Sequence, residues 1–214
     1  MIGLRIISLA IGYIFGMFLS GFFLGKSKHV DLRTKGSGNV GTTNTMRVLG
    51  IKYGVITLIC DCLKPVLASF LVWLLFHNDH SGAVRLLMLY ASFGAVLGHD
   101  FPVFMKFRGG KGVASSVGLI LVIFPETFPV CAILFFGSVV LTRYVSLGSM
   151  LAALGFGIQV IVLGRLGHLS IPDAYLNEAT VISILIAVLV IVLHRSNISR
   201  LMHGTENKFS FHKK

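Results

Sequence analysis

Apolar residues in this chain run in long blocks, without the short period of a helix that keeps one face in water. Blocks at 2–24, 54–76, 83–98, 145–164 and 179–193 are almost free of charge. A helix that crosses a bilayer needs about 20 mainly apolar residues, and these blocks are of that order. A further apolar region, 113–141, is interrupted by "FPETFP" at 124–129. A proline inside a helix removes a backbone hydrogen bond and kinks or breaks it. The pattern predicts two short crossings, about 113–124 and 127–141, that reverse at Pro125–Pro129. The alternative is a re-entrant hairpin, which leaves five crossings.

The positive residues decide between odd and even crossings. Of 19 Lys and Arg residues, 14 fall in 25–53, 99–112 and 194–214. Positive loops stay on the cytoplasmic side, so all three stretches belong there. The first block then runs outside to inside, and an even number of crossings lies between 112 and 194. Two crossings in 113–141 satisfy this and leave Arg143 inside. The expected fold is an all-α integral membrane bundle of about seven helices, N-terminus out and C-terminus in, forming one membrane-embedded domain over 1–214.

Composition agrees. Only 13% of residues are charged and the mean hydropathy is +0.86, whereas soluble domains carry about a quarter charged residues. The first block does not read as a signal peptide: Arg5 is the only positive residue at its start, positive charge follows it, and no small-residue cleavage site closes it. The net charge of +11 calls for anionic partners. In a chain of spans these are phospholipid headgroups or small phosphorylated substrates, not nucleic acid. Cys60, Cys62 and Cys131 all sit in apolar stretches, which suggests neither a disulfide framework nor a zinc site.

Three polar stretches rich in glycine or charge share the expected cytoplasmic face: 35–50, 98–116 and 194–208. In the second, "GGKG" leads into the helix expected at 113. Glycine lets backbone amides approach an oxyanion closely, and a helix start offers unpaired N–H groups and a favourable dipole. Gly109, Gly110 and Gly112 with Lys111 therefore form one candidate anion site. Gly38, Asn39 and Gly41 ahead of "TTNTMR" form a second, with Arg47 as a bidentate fork. In the third, His194 and Asn197 lie three apart at the end of the last span. His194 can titrate or donate near neutral pH, and Asn197 can donate without charge. Interfacial anchoring by Arg195 and Arg200 is the plainer alternative.

Other patterns fail on context. Residues 36–41 match G-x-G-x-x-G with Asp61 beyond, but no strand precedes them and Asp61 lies in a span. "GGKG" lacks the first glycine and the Ser or Thr of a Walker loop. "HLSIPD" (168–173) contains a His-x4-Asp pair, on the opposite face from the three stretches. Asp61 and Lys64, three apart on one helix face, read as a paired charge that orients the span or braces the site. No nucleophile–base–acid triad is evident, so any chemistry rests on binding and charge stabilisation.

"GSGNVGTTN" with Arg47, "GHDFPVFMKFRGGKGVA", "HRSNISRLMHGTENK" and "DCLKP" together resemble the bacterial PlsY-type acyl-phosphate:glycerol-3-phosphate acyltransferases over nearly the whole chain. The resemblance implies transfer of a fatty acyl group from acyl phosphate to the 1-position hydroxyl of glycerol 3-phosphate, giving lysophosphatidic acid and phosphate. It implies no metal or cofactor, a place in the bacterial cytoplasmic membrane, contact with membrane lipids, and transient contact with the enzyme that makes acyl phosphate. It implies that Ser37, Arg47 and Lys111 bind glycerol phosphate and that His194 and Asn197 belong to the active site. Gly38, Asn39 and Thr43 would lie near the donor phosphate. Val40, Thr42 and Pro65 depart from the usual Pro, Ala and Gly, which bears on loop and helix positioning and removes no charged group. An organic-phosphate transporter is the rival reading, but such proteins bind at the bilayer midplane between repeats, and no repeat is visible.

Overall fold

The structure is a computed structural model and describes residues 1–209; Lys213 and Lys214 of the third basic stretch lie outside them. Every regular element among the described residues is helical. The chain forms two compact units, one over Met1–Ile123 and one from Phe124 onward.

The first unit holds α1 (Ile2–Gly16), α2 (Ser20–Ser27), α3 (Thr42–Leu49), α4 (Ile51–Phe76), α5 (Val84–Asp100) and α6 (Val113–Ile123). The second holds α7 (Phe128–Thr142), α8 (Val145–Arg165), α9 (Leu176–Leu193) and α10 (Arg195–Met202). Six segments among the described residues are long and apolar enough to cross a membrane: Ile2–Ser27, Ile51–Phe76, Val84–Met105, Pro125–Thr142, Val145–Arg165 and Asp173–Leu193. The protein is an all-α integral membrane protein. Large apolar side chains stand exposed on its helices, as at Val140 and Leu141, 79% and 85% exposed. Such faces suit lipid, which satisfies no backbone polar group and so demands helices.

The expected blocks hold, with two differences. The first block is broken at residues 17–19. Leu19 is extended there and buries its side chain among Leu32, Val40 and Met105. Inward burial at the end of α1 thus replaces a continuous helix. The second difference is Pro129, expected in the reversal, which sits in the first turn of α7. A proline is tolerated there because its missing N–H has no intrahelical partner in any case.

In the first unit α1 and α5 run parallel in near backbone contact. A Cβ at Gly12 would collide with the Ala91 carbonyl, and one at Gly16 with that of Ala95. Reciprocally, Gly94 and Gly98 face the Leu9 and Tyr13 carbonyls. Small residues four apart on both partners permit this close packing in lipid. Ala68, Val72, Leu87, Ala91 and Ala95 form the adjoining core with α4. A Cβ at Gly118 of α6 would strike the Cys62 carbonyl of α4, so these helices also meet closely. Eleven residues of α6 extend only about 16 Å at 1.5 Å per residue. They still reach the opposite end of α5, because Arg85 in its first turn donates to the Ile123 carbonyl at 2.8 Å.

In the second unit α7, α8 and α9 alternate in direction. At one end Ser170 donates to Glu126, joining the turn before α7 to the loop before α9. At the other, Ser146 donates to Glu206 at 3.0 Å and the Phe209 amide to the Arg143 carbonyl at 2.7 Å. His168 and Asp173 therefore lie at the end of this unit away from Arg143 and Glu206.

Candidate active site

One end of the first unit carries two of the three polar stretches. Met105 from the second packs with Val40 of the first and with Leu32 just before it, so the two are fastened together by a small apolar cluster. Tyr13 adds a bond from its hydroxyl to the Phe101 carbonyl at 2.6 Å.

The first stretch is organised by Asn44, which is 2% exposed. Its amide nitrogen donates to the carbonyls of Leu32, Lys35 and Asn39 at 3.1, 3.0 and 2.7 Å. Its oxygen accepts from the Ser37 amide at 2.8 Å. Gly36 and Gly38, with φ of 63° and 74°, give the backbone the left-handed turns this wrapping needs. Asn39 caps the Gly41 amide at 2.7 Å. Ser37, Gly38 and Arg47 are exposed, and Asn39 and Thr43 are half-buried. Arg33 grips Asp31 through Nε and Nη2 at 2.9 and 2.8 Å. These side-chain bonds hold the Asp31 carboxyl down to about 2. Arg33 therefore spends its charge locally, while Arg47 stands in the last turn of α3.

The second stretch leaves α5 at Phe101, makes a short 3-10 turn over Val103–Met105 and reverses through Lys106 and Phe107, both left-handed at φ 52° and 59°. It returns antiparallel to its own start. The Gly109 amide donates to the Asp100 carbonyl and the Gly110 amide to the His99 carbonyl, both at 2.9 Å. This corrects the expectation that the Gly109 and Gly110 amides face an anion: they are committed to α5, and the glycines there serve close packing. Half-buried Lys111 and left-handed Gly112 (φ 69°) follow and lead directly into α6. The first amides of a helix have no partner within it, so the candidate anion site narrows to Lys111, Gly112 and the start of α6.

Beneath this loop lies a buried polar cluster. Asp61 Oδ1 accepts from Lys64 Nζ at 2.6 Å and from Ser20 Oγ at 2.7 Å. Lys64 Nζ lies 3.2 Å from His99 Nδ1. Asp100 is 2% exposed, and neither carboxylate oxygen has a hydrogen-bond partner among the described residues. Asp61 and Lys64 are thus paired, as their spacing suggested, and the pair reaches the second stretch through His99.

The third stretch belongs to the second unit. His194 is buried and its Nδ1 lies 2.7 Å from the Val190 carbonyl. A carbonyl only accepts, so Nδ1 carries the hydrogen and Nε2 is the basic nitrogen of the neutral ring. Asn197 donates to Glu206 Oε1 at 2.8 Å, and Arg200 Nε to Glu206 Oε2 at 2.7 Å. Glu206 thereby ties Asn197, Arg200 and Ser146 together.

Sequence reasoning passed over Asn44, Ser20, His99, Asp100 and Glu206. Signals existed for some. His99 and Asp100 are ionisable residues at the end of a span, and Glu206 is the sole acid of the third stretch.

Known proteins resemble this chain over nearly its whole length. The family model described as glycerol-3-phosphate acyltransferase matches residues 6–204. A protein of Trichlorobacter lovleyi named glycerol-3-phosphate acyltransferase is 38% identical over 197 residues, 92% of this chain and 93% of its own. The crystal structure of PlsY, an integral membrane glycerol 3-phosphate acyltransferase, in its glycerol 3-phosphate form superposes with a TM-score of 0.77 at 34% identity, covering 98% of this chain and 95% of that one. Its lysophosphatidic acid form gives 0.77 at 33% identity, over 97% and 96%. The chain belongs to the glycerol-3-phosphate acyltransferase family and is an integral membrane acyltransferase of the PlsY type.

Proposed function

We propose that this chain transfers a fatty acyl group from acyl phosphate to the 1-position hydroxyl of glycerol 3-phosphate, releasing lysophosphatidic acid and inorganic phosphate, the first acylation of phospholipid synthesis. It does so as one membrane-embedded domain of the bacterial cytoplasmic membrane, with its polar stretches facing the cytoplasm. The observation that carries the reading is the loop at 99–112. A glycine-rich turn pinned to α5 delivers Lys111 and Gly112 to the start of α6, an arrangement suited to a phosphate. The related PlsY structures, solved in glycerol 3-phosphate and lysophosphatidic acid forms, support this choice of acceptor and product.

Lys111, Ser37 and Arg47 bind the acceptor phosphate. Gly38, Asn39 and Thr43 serve the donor phosphate. The acceptor oxygen attacks the acyl carbonyl carbon, the bond from that carbon to the phosphate oxygen breaks, and phosphate leaves with the electron pair. Acyl phosphate is a mixed anhydride and already activated, so a covalent enzyme intermediate adds little. The site's work is to orient two reactants and to stabilise charge on the carbonyl oxygen. Asn197 donates to that oxygen. The hydroxyl proton passes to Nε2 of His194 or to a substrate phosphate, and the pH profile of His194→Gln separates these routes: loss of the acidic limb assigns His194.

Phosphate release by the purified protein supplied with palmitoyl phosphate and glycerol 3-phosphate tests the proposal. Release that requires both substrates, and that Lys111→Ala abolishes, is expected. No release from folded protein overturns it in favour of phosphate transport.

A further inference from the structure

Asp61, Lys64 and His99 are 1%, 5% and 3% exposed. Burying such groups is costly unless geometry and hydrogen bonds compensate, and ionisable residues persist inside spans chiefly where they serve function. Their bonds have a direction. Asp61 Oδ1 is held by Lys64 at 2.6 Å and by Ser20 at 2.7 Å. Lys64 is an ammonium and can only donate, so at 3.2 Å His99 Nδ1 must accept. The ring hydrogen therefore sits on Nε2. That Nε2 edge abuts Gly110: a Cβ there would collide with Nε2 itself and stand 2.6 and 2.8 Å from Cδ2 and Cε1. The His99 carbonyl also holds the Gly110 amide. Both the ring and the backbone of residue 99 thus seat Gly110, the residue before Lys111.

We infer that Asp61, Lys64 and His99 form a positioning network that fixes the imidazole under Gly110 and so places Lys111 for the acceptor phosphate; the inference rests on the assignment of Lys111 to that phosphate. None of the three touches substrate. Asp61 orients Lys64, Lys64 selects the ring's tautomer and rotamer, and the ring sets the loop. Without the pair the imidazole is free to turn over, and Gly110 loses its seat. Misplacement by about 1 Å can cost on the order of a hundredfold in a positioned reaction. The effect should fall on one substrate, because the network supports one loop.

The test uses the full chain in detergent. Asp61→Leu/Lys64→Met removes both charges together and leaves neither buried alone. His99→Gln retains an acceptor for Lys64 and loses the ring. In both variants the KM for glycerol 3-phosphate is expected to rise about tenfold or more while that for palmitoyl phosphate stays within about twofold. Equal losses for both substrates, or no change in folded variants, overturn the inference. Two readouts need no substrate. Nitrogen NMR of wild-type His99 is expected to show the Nε2–H tautomer, and the Nδ1–H form overturns the network even if no variant folds. Hydrogen exchange at the Gly109 and Gly110 amides is expected to quicken in the double variant. Unchanged exchange overturns the network whether or not the wild type transfers acyl groups.

Discussion

The Asn197 side chain donates to the Glu206 carboxylate at 2.8 Å, so the asparagine expected to act in the third stretch is itself held by an acid nine residues on. Glu206 also accepts from Ser146 and Arg200. Glu206→Ala leaves three donors without their acceptor, a loss of about 2–3 kcal/mol. Its melting temperature is expected to fall and acyl transfer to be lost. Glu206→Gln retains one accepting oxygen but no charge for Arg200, and is expected to lie between Ala and wild type in thermal unfolding and phosphate release.

Asn44 gives a sharper ordering. Its amide nitrogen donates to three carbonyls while its oxygen accepts from Ser37. Asn44→Ala removes these bonds, at about 2–3 kcal/mol for a buried set. Asn44→Asp keeps the shape but turns a donor into an acceptor facing those carbonyls. The aspartate is therefore expected to be worse than the alanine, despite being the smaller chemical change. Limited proteolysis within 31–41 and the KM for glycerol 3-phosphate measure it; equal behaviour of the two variants would mean that the amide nitrogen does not organise the loop.

The contrast between Asn44 and the pair Asp61–Lys64 shows what could be read from the sequence. The pair lies three apart on one helix, so its contact follows from helix geometry alone. The blocks were legible for a similar reason: bilayer thickness sets their length, and basic residues mark their ends. The acceptors of Asn44 are carbonyls at 32, 35 and 39, and they converge only once Gly36 and Gly38 have turned the chain. Gly109 and Gly110 misled in the opposite way. Glycine-rich sequence before a helix suggests amides facing an anion, yet these amides close on α5. Local sequence marks where backbone must come close and cannot name what it comes close to.

The crossing of α1 and α5 makes the same point for packing. The glycines at 12 and 16, and at 94 and 98, are spaced four apart, but only their register in space sets them against opposing carbonyls. The contacts are backbone to backbone, so no rotamer change relieves an added side chain. Gly12→Leu and Gly94→Val are expected to exceed the usual 1–3 kcal/mol of overpacking and to yield aggregated protein in size-exclusion chromatography. Gly3 lies on the same helix with nothing within 4 Å of an added Cβ. Gly3→Ala is expected to leave melting unchanged or raise it, by up to about 1 kcal/mol from helix propensity.

The path of 113–141 decides the orientation of the second unit. Glu126 and Arg143 flank α7, whose 15 residues extend about 22 Å. Glu126 shares its end of the unit with Ser170, and Arg143 shares the other with Phe209. If basic residues stay inside, Arg143 is cytoplasmic and Glu126 is not. With Cys60, Cys62 and Cys131 replaced by serine, a membrane-impermeant maleimide is expected to label Glu126→Cys only from outside the cell. Arg143→Cys is expected to react only in inverted vesicles. The short α6 then completes a crossing that its own length does not announce, aided by Arg85 holding its last carbonyl at 2.8 Å. Labelling of both positions from the cytoplasmic side would establish the re-entrant hairpin and reduce the crossings to five.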